Sequence, residues 1–304
     1  MELPFHTLDV FTDRTFGGNP LGVFPDAGHL PTGLMQRIAR EMNLSETVFL
    51  GPPETPEGHA RVRIFTPAVE VPFAGHPTVG AAIHLAGSLE GRPRDGEITL
   101  VLEENVGPVP VVVRFQGARP EFARFTTAIL PEHRPSPHAR EELSAMVGLQ
   151  PEEVCPDGLV PEMVSCGLPY HVIPVVDFRA VARASLDLAL WRRLLADGWA
   201  HHVYLVSMDA EGEEADVRAR MFAPGSGVPE DPATGSAAAA LGGYLSKVDG
   251  SPEASLSWTV EQGIEVGRPS LLYVEADRAG GRTTAVRVGG SAVPVSRGTM
   301  VVPG

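Results

Sequence analysis

Glu46, His76 and Asp231 are side chains whose types and neighbours suit acid–base chemistry. Glu46 lies among the apolar residues of NLSETVFL, His76 follows a glycine in PFAGHPTVG, and Asp231 precedes a proline in EDPATGSAAAA. A carboxyl group in a cleft between apolar neighbours has a raised pKa, which suits proton transfer near neutral pH. An imidazole and a second carboxylate can orient a substrate and stabilise charge. We therefore take these three as candidate catalytic residues.

Two stretches, Pro72–Gly80 and Glu230–Ala240, have the pattern of a strand end, a tight turn and a helix start. Proline suits the first helical position, so the pattern places His76 and Asp231 at the N-caps of two helices. Such helix ends present unpaired N–H groups and partial positive charge, which can hold a carboxylate. The candidate substrate-binding residues lie around these two helix starts and in a Gly–Asn–Pro turn: Asn19, Gly75, Thr234, Gly235 and Ser236.

The two stretches belong to a longer internal repeat, which predicts two similar lobes. The blocks recur in the same order: Gly18–Pro25 with Gly167–Pro174, Ser45–Leu50 with Ala200–Leu205, Arg63–Pro67 with Arg220–Pro224, and then the two helix starts. Further on, Trp258–Ser270 echoes the turn at Glu103–Gly107. This alignment places His201 at the position of Glu46. We expect an N-terminal lobe over residues 1–120 and a C-terminal lobe over 121–304, whose last strands can return to the first lobe.

Periodicity and composition predict the remaining elements. Thr32 is expected to cap a helix over 33–42, Glu97–Leu102 and Val109–Phe115 form a hairpin, and Pro131–Pro137 is interpreted as a linker. The helix that begins near Ser236 has small residues all round, which suits a helix enclosed by a sheet. We therefore predict an α+β fold in which each lobe is a curled, mostly antiparallel, barrel-like sheet around one central α-helix.

Composition excludes several classes of function. The formal net charge of −14 argues against a binder of nucleic acid or anionic membranes, because both need a basic surface. No long apolar run or leader sequence is found, so we expect a cytoplasmic protein. Cys155 and Cys166 have no zinc-site spacing, and His201-His202 alternate faces on a strand, so no metal site is predicted. Lys247, the only lysine, is expected in an exposed loop, which excludes pyridoxal phosphate chemistry; we therefore expect no cofactor.

Together, NLSETVF, PFAGHPTVG, DPATGSAAAA and EQGIEVGRPS resemble the PhzF-like family, phenazine-biosynthesis isomerases and their relatives. The resemblance implies the diaminopimelate epimerase-like fold, with two pseudo-symmetric lobes and the active site between them. It also implies cofactor-independent proton transfer and a homodimer. In this family the glutamate that matches Glu46 moves the proton.

The resemblance also narrows the range of reactions that we expect. Epimerases and proline racemases of this fold carry two cysteines at the starts of the central helices, whereas the matching stretches here, Ala74-Gly75-His76 and Asp231-Pro232-Ala233, have no thiol. We therefore expect a cofactor-independent isomerase that moves a proton between carbons of a small carboxylate-bearing metabolite. The alternatives are an epimerase or racemase of a small amino or hydroxy acid, and a metabolite-binding protein that has lost the chemistry.

Each candidate residue also has a purely structural interpretation. Glu46 can be a solvated glutamate at a strand edge, and His76 a buried histidine that bonds to the backbone. Asp231 can simply cap a helix, and Asn19 can simply form a turn. The sequence alone leaves these alternatives open.

Overall fold

The computed structural model describes residues 1–156 and 158–303, which form two compact units. The first unit contains residues 1–126 together with the chain from 289 onward, and the second contains residues 127–288. The lobe boundary that we predicted near residue 120 lies inside a strand, Arg119–Thr126.

The elements follow one another in the same order in both units. The first unit contains β1 (Glu2–Val10), β2 (Asn19–Phe24), α1 (Thr32–Met42), β3 (Glu46–Gly51), β4 (Ala60–Phe65), β5 (Glu70–Val71), α2 (Gly75–Ser88), β6 (Gly96–Glu104), β7 (Gly107–Gln116) and β8 (Arg119–Thr126). The chain continues with β9 (Glu132–Pro135), α3 (Arg140–Met146), β10 (Glu162–Ser165), β11 (Pro169–Pro174), α4 (Phe178–Arg183), α5 (Leu188–Leu194), β12 (His202–Ser207), β13 (Val217–Ala223), β14 (Val228–Asp231), α6 (Gly235–Asp249), β15 (Ala254–Gln262), β16 (Ser270–Ala279) and β17 (Arg282–Gly290). The last strand, β18 (Ala292–Val301), belongs to the first unit.

The first unit is a sheet curled around α2. Its strands pair in the order β18–β1–β2–β3–β4–β6–β7–β8, with β2–β3 and β4–β6 parallel and the other pairs antiparallel. The short strand β5 pairs with β4. Because α2 contacts strands from β1 through to β8, the sheet must bend around it.

The second unit repeats this arrangement around α6. Its strands pair in the order β9–β10–β11–β12–β13–β15–β16, with β11–β12 and β13–β15 parallel. The short strand β14 pairs with β13 as β5 pairs with β4. The predicted α+β fold, with one central helix in each of two similar halves, is therefore confirmed.

Small residues let the central helices approach their sheets closely. A Cβ atom on Gly80 would lie 2.5 Å from Leu21 Cδ2 and 2.9 Å from Val10 Cγ2. On α6, a Cβ atom on Gly242 would lie 2.7 Å from Val274 Cγ1. Larger side chains at these positions would push the helix away from the strands, which explains the small residues of both helices.

The outer face of each sheet is covered by further helices. In the first unit, α1 packs Met35 and Ile38 against a cluster that contains Phe24, Phe49 and Phe65. These phenylalanines alternate with the residues that face α2, so α1 lies on the opposite side of the sheet. In the second unit, α3, α4 and α5 cover the corresponding face with side chains that include those of Leu143, Val181 and Trp191.

Several local predictions were wrong. Thr32 is the first residue of α1 rather than its cap, and its hydroxyl accepts a hydrogen bond from Arg63. The segment that we interpreted as a linker contains β9, which pairs with β10. Its prolines do not prevent this pairing, because proline is tolerated in an edge strand. The helix α4 was not predicted. Lys247 lies in the last turn of α6, where it donates a hydrogen bond to Glu162.

Within the described residues, no helix combines the length and the apolar character needed to cross a lipid bilayer.

Candidate active site

The start of α2 presents two of the predicted site residues, Gly75 and His76. The N-cap is Ala74, whose backbone is extended, and Gly75 is the first helical residue. His76 is therefore the second residue and Pro77 the third, so the prediction that His76 is the N-cap was wrong. The N–H groups of the whole first turn lack partners within the helix. Proline is tolerated at any of these positions and does not fix where the helix begins.

Glu46 is the first residue of β3, and its carboxyl group faces the ring of His76. The distance from Glu46 Oε2 to His76 Nε2 is 3.5 Å. The Glu46 side chain is 19% exposed, whereas that of His76 is 4% exposed. The parallel pairing of β2 with β3 places Leu21 beside Glu46 and thereby fixes the backbone position of Glu46. A partly exposed carboxyl group thus lies beside a buried imidazole.

The neighbours of His76 determine its protonation. Burial lowers the pKa of His76 to about 3, so the ring is neutral at neutral pH. The ring donates a hydrogen bond to the carbonyl of Pro20. Because Nε2 has no hydrogen-bond partner among the described residues, the donor is Nδ1. In a neutral ring the other nitrogen is an acceptor, so Nε2 presents a lone pair on the side of Glu46.

We expect His76 to remain neutral, with its proton on Nδ1, from about pH 5 to about pH 8, where an unperturbed histidine titrates. Acidification should cost stability, because below the ordinary pKa of 6.5 the unfolded chain takes up a proton that the folded state refuses. Long-range ¹H–¹⁵N spectra of histidine-labelled protein report the tautomer, and His76→Asn assigns the signal. Titration of this ring near pH 6.5, or a proton on Nε2, would contradict the assignment.

Asn19 begins β2 and lies next to the carbonyl that orients His76. Asn19 is fully buried and pairs with Val10 of β1. The residue after it is Pro20, the acceptor of the His76 hydrogen bond. The turn before it needs glycine, because Gly18 has φ +59° and a Cβ there would lie 2.3 Å from the carbonyl oxygen of Val10. The structure thus brings Asn19 near the Glu46–His76 pair through one shared turn.

In the second unit, Asp231 lies just before the start of α6. Asp231 is the last residue of β14, and the N-cap of α6 is Thr234, followed by Gly235 as the first helical residue. The prediction that Asp231 is the N-cap was therefore wrong. The Thr234 hydroxyl donates to Asp231 Oδ2 at 2.6 Å and makes no capping bond. Pro232 thus lies in a turn before the helix, and Asp231 fixes that turn through Thr234.

Gln262, which sequence reasoning missed, forms hydrogen bonds to the same turn. It is the fully buried last residue of β15. Its Nε2 donates to the Asp231 carbonyl at 2.8 Å and to Thr234 Oγ1 at 3.1 Å. Its Oε1 accepts from the Tyr204 hydroxyl at 3.3 Å, and burial raises the pKa of that hydroxyl well above its ordinary value. The only signal for Gln262 in the sequence was its place in the repeated EQGIEVG segment.

Ser236, the second residue of α6, belongs to a group of polar side chains. Its Oγ lies 2.6 Å from the hydroxyl of Tyr170, whose ring lies 5.5 Å from that of His202. His202 Nε2 lies 3.0 Å from Ser226 Oγ, and burial, followed by the charge of a neighbouring histidine, lowers the pKa of His202 to about 4. Sequence reasoning missed Tyr170 and His202 as neighbours of this helix start.

Strand register corrects the predicted counterpart of Glu46. In the parallel β2–β3 pair Leu21 lies beside Glu46, and in the parallel β11–β12 pair Tyr170 lies beside His202. Because Leu21 and Tyr170 are equivalent in the repeat, the counterpart of Glu46 is His202 and not His201. The predicted alignment was shifted by one residue, which in a strand places the wrong side chain on a given face.

The repeat also shows that Asp231 and His76 are not equivalent residues of the two units. Val71 and Asp231 occupy equivalent positions in the short strands β5 and β14. His76 and Ser236 are both second residues of their central helices. The two units therefore carry different groups at these two positions, and the Glu46–His76 pair lies in the first unit.

The two cysteines lie outside the helix starts. Cys155 and Cys166 are buried and form no disulfide. Burial raises the pKa of both thiols, that of Cys166 to about 12, so neither forms a thiolate readily. The Cys166 thiol donates to the Ala239 carbonyl, in the second turn of α6. Both residues behave as core cysteines.

Comparison with known sequences identifies relatives along nearly the whole chain. The family model of phenazine biosynthesis-like proteins (PhzC-PhzF) matches residues 8–298. An uncharacterised isomerase of Mesorhizobium japonicum is 43% identical over 298 residues, which are 97% of each chain. The trans-2,3-dihydro-3-hydroxyanthranilate isomerase of Pseudomonas aeruginosa is 37% identical over 296 residues, which are 96% of each chain.

Solved structures confirm the diaminopimelate epimerase-like fold. A PhzF-family phenazine biosynthesis protein of Bacillus anthracis superposes with a TM-score of 0.88 at 24% identity, covering 99% of this chain and 100% of that one. A hydroxyproline epimerase of Agrobacterium vitis shares the fold, with a TM-score of 0.60 at 13% identity, covering 98% of this chain and 92% of that one. The chain therefore belongs to the phenazine biosynthesis-like family and is an isomerase of the PhzF type.

Proposed function

We propose that this isomerase moves a proton between two carbons of a small carboxylate-bearing metabolite, with Glu46 as general acid and base and without a cofactor. The observation that carries the proposal is the pairing of Glu46 with His76 at 3.5 Å. One partner is partly exposed and can exchange a proton with a substrate. The other is neutral and offers a lone pair.

The proposed reaction balances without an oxidant or reductant. The Glu46 carboxylate takes a proton from a substrate carbon, and the electron pair of the broken C–H bond enters the conjugated system. The protonated Glu46 then gives this proton to a second carbon of the same system. Between the two steps, Nε2 of His76 accepts a hydrogen bond from the new carboxylic acid. With a pKa of about 3, His76 cannot itself serve as a proton donor at neutral pH.

The substrate carboxylate is proposed to bind at helix N-termini, where unpaired N–H groups and the helix dipole favour an anion. In the first unit, Gly75 supplies such a position, and Asn19 lies next to the carbonyl that orients His76. In the second unit, the equivalent positions lie at the start of α6. We propose that Thr234, Gly235 and Ser236 also take part in substrate binding, and that Asp231 acts as a catalytic residue that orients the substrate and stabilises charge.

The test is deuterium exchange at carbon, followed by NMR in D₂O. The first substrate to try is trans-2,3-dihydro-3-hydroxyanthranilate, which the Pseudomonas aeruginosa relative is named for, followed by other small cyclic amino-acid carboxylates. The expected result is a product with its double bond moved and deuterium at the receiving carbon. Inversion at one carbon without double-bond movement would instead indicate an epimerase. Binding of these ligands with no exchange in any of them would contradict the proposal.

A further inference from the structure

Glu104 and Gln262 occupy equivalent positions at the ends of two strands. In the parallel β4–β6 and β13–β15 pairs, Glu103 and Glu261 each lie beside an arginine of the neighbouring strand. The residues that follow them, Glu104 and Gln262, therefore correspond, and both are buried. A glutamine and a protonated glutamic acid have nearly the same shape, and both can donate a hydrogen bond.

Glu104 contacts the first turn of α2. Its side chain is 5% exposed, and its Oε1 lies 2.6 Å from the hydroxyl of Thr78. Its Oε2 has no hydrogen-bond partner in the described part of the chain. The same Thr78 hydroxyl lies 2.8 Å from the carbonyl oxygen of Ala74, the N-cap of α2. Glu104 is thus joined to the N-cap through one hydroxyl group.

The two short contacts of the Thr78 hydroxyl indicate whether Glu104 carries a proton. A hydroxyl has a single proton to donate, so Thr78 can donate to Ala74 or to a Glu104 carboxylate, but not to both at once. If Glu104 is protonated, its own O–H donates to Thr78, and Thr78 donates to Ala74. Both short contacts are then hydrogen bonds, and only the neutral form of Glu104 allows this.

Gln262 makes the corresponding bond in the second unit. Its amide donates to Thr234 Oγ1 at 3.1 Å and to the Asp231 carbonyl at 2.8 Å. A neutral donor on the last residue of β15 therefore fixes the turn into α6. A protonated Glu104 would also donate to a threonine hydroxyl at a helix start, although Thr78 is the fourth residue of α2 and Thr234 is the N-cap of α6.

We propose that Glu104 is a positioning residue for the Glu46–His76 pair and that it works as a neutral carboxylic acid. Its O–H holds Thr78, Thr78 holds the N-cap carbonyl of Ala74, and the first turn of α2 then keeps His76 in place. This inference rests on the proposed function of Glu46, although the protonation of Glu104 can be tested without any substrate.

The surroundings of Glu104 support a retained proton. Burial raises its pKa from 4.5 to about 8, against the opposing effects of the Thr78 hydrogen bond and the charge of Arg61 on β4. On α2, the titratable neighbour of Thr78 is His76, which is neutral. On β6 the adjacent Glu103 is a charged neighbour, and β7 places uncharged Gly107 opposite Glu104. Above about pH 8, the proton is lost and the arrangement is destabilised.

Thermal unfolding of the ligand-free protein tests the protonation directly, with Glu104→Gln compared with wild type from about pH 6 to about pH 9. Because the pKa of Glu104 is raised by folding, folded wild type holds a proton that the unfolded chain releases, and its stability falls as pH rises toward 8. Glutamine removes this dependence. The Tm of the variant relative to wild type should therefore rise with pH across this range. A Tm difference that does not change with pH would overturn the proposal.

Glu103→Gln is the matched control on the same strand. The Glu103 carboxylate accepts hydrogen bonds from Thr55 and from the backbone of Glu54 and Thr55, which lower its pKa. Its ionisation is therefore complete below this pH range, and the control should lower Tm by an amount that does not vary with pH. A rise with pH in Glu104→Gln alone supports the proposal, whereas equal trends in both variants would overturn it.

Measurements of kcat then test the positioning role of Glu104. Glu104→Gln should keep the kcat of wild type at neutral pH and lose less of it above pH 8, whereas Glu104→Ala should lose about tenfold or more, since small displacements of a catalytic group cost about this much or more. Equal losses in both variants would overturn the positioning role. If Glu46 proves not to be the acid–base group, the ligand-free Tm series is unaffected, so the two failures can be distinguished.

Discussion

Glu46→Gln is expected to lower kcat by about 10²–10⁴-fold, the usual contribution of a positioned acid–base group, while substrate affinity changes little. Glutamine matches the size of glutamate but cannot take up a proton from carbon. Its amide can donate a hydrogen bond to the lone pair on His76 Nε2, as the protonated Glu46 would. The substrate pocket should therefore stay intact. Steady-state kinetics gives kcat, and calorimetric titration gives the Kd of the substrate.

Glu41→Gln is a suitable control, because Glu41 is an exposed glutamate on α1, on the far side of the sheet from α2. It should leave kcat, Kd and Tm close to those of wild type. Full activity in Glu46→Gln would refute the acid–base role. Loss of binding and a lowered Tm in the same variant would instead assign Glu46 a structural role.

Arg218→Met is expected to destabilise the protein by about 3–5 kcal/mol, the usual result of removing one partner from a buried ion pair. The Arg218 side chain is 2% exposed and bonds to Glu261 at 3.0 Å and Glu265 at 2.7 Å. The Glu261 carboxylate also accepts from the backbone N–H groups of Glu211 and Gly212. Without the arginine, a buried negative charge remains that cannot reach water. Urea unfolding measures the loss.

The repeat supplies a matched comparison, because Arg61 occupies the same place in the first unit as Arg218 does in the second. Arg61 bonds to Glu54, whose side chain is 70% exposed, and exposed ion pairs contribute about 0–1 kcal/mol. Arg61→Met should therefore cost clearly less than Arg218→Met. Equal losses from the two substitutions would show that burial does not decide the contribution of these arginines.

Two of the sequence motifs contain residues that the fold brings together. Glu46 and His76 lie 30 positions apart in the sequence, and the first unit places their side chains 3.5 Å apart. The internal repeat and the small residues of the helix that begins near Ser236 were sufficient to predict the α+β fold with one central helix per half. The catalytic and binding roles, the small-molecule partner and the homodimer stay predictions for the experiments above and for sedimentation analysis.

Local boundaries were harder to predict, for identifiable physical reasons. Proline is compatible with several positions in and before a first helical turn, so Pro77 and Pro232 did not locate the starts of α2 and α6. The extended backbones of Ala74 and Thr234 set those starts, and neither residue makes a side-chain capping bond that a pattern would reveal. Aligning β12 by residue type alone also left an error of one position, which only the hydrogen-bonded register resolved.

Burial was the property least visible in the sequence. Glu104 stands beside another glutamate at a turn, a pattern that usually indicates a solvated surface, yet it packs under α2. Neither neighbours nor periodicity distinguish it from Glu103. The one available signal was its alignment with Gln262, because a neutral residue at the equivalent position suggests that the site does not need a charge.

The pairing of β18 with β1 has a consequence for synthesis of the protein on the ribosome. Leu3 lies opposite Met300, so the first sheet closes with residues nearly 300 positions apart. The second unit is continuous along the chain, and its strands are translated before β18. Until then β1 has an unpaired edge, which is open to pairing with other chains. The first unit therefore exposes this strand edge until the end of translation, although most of its residues are translated before the second unit.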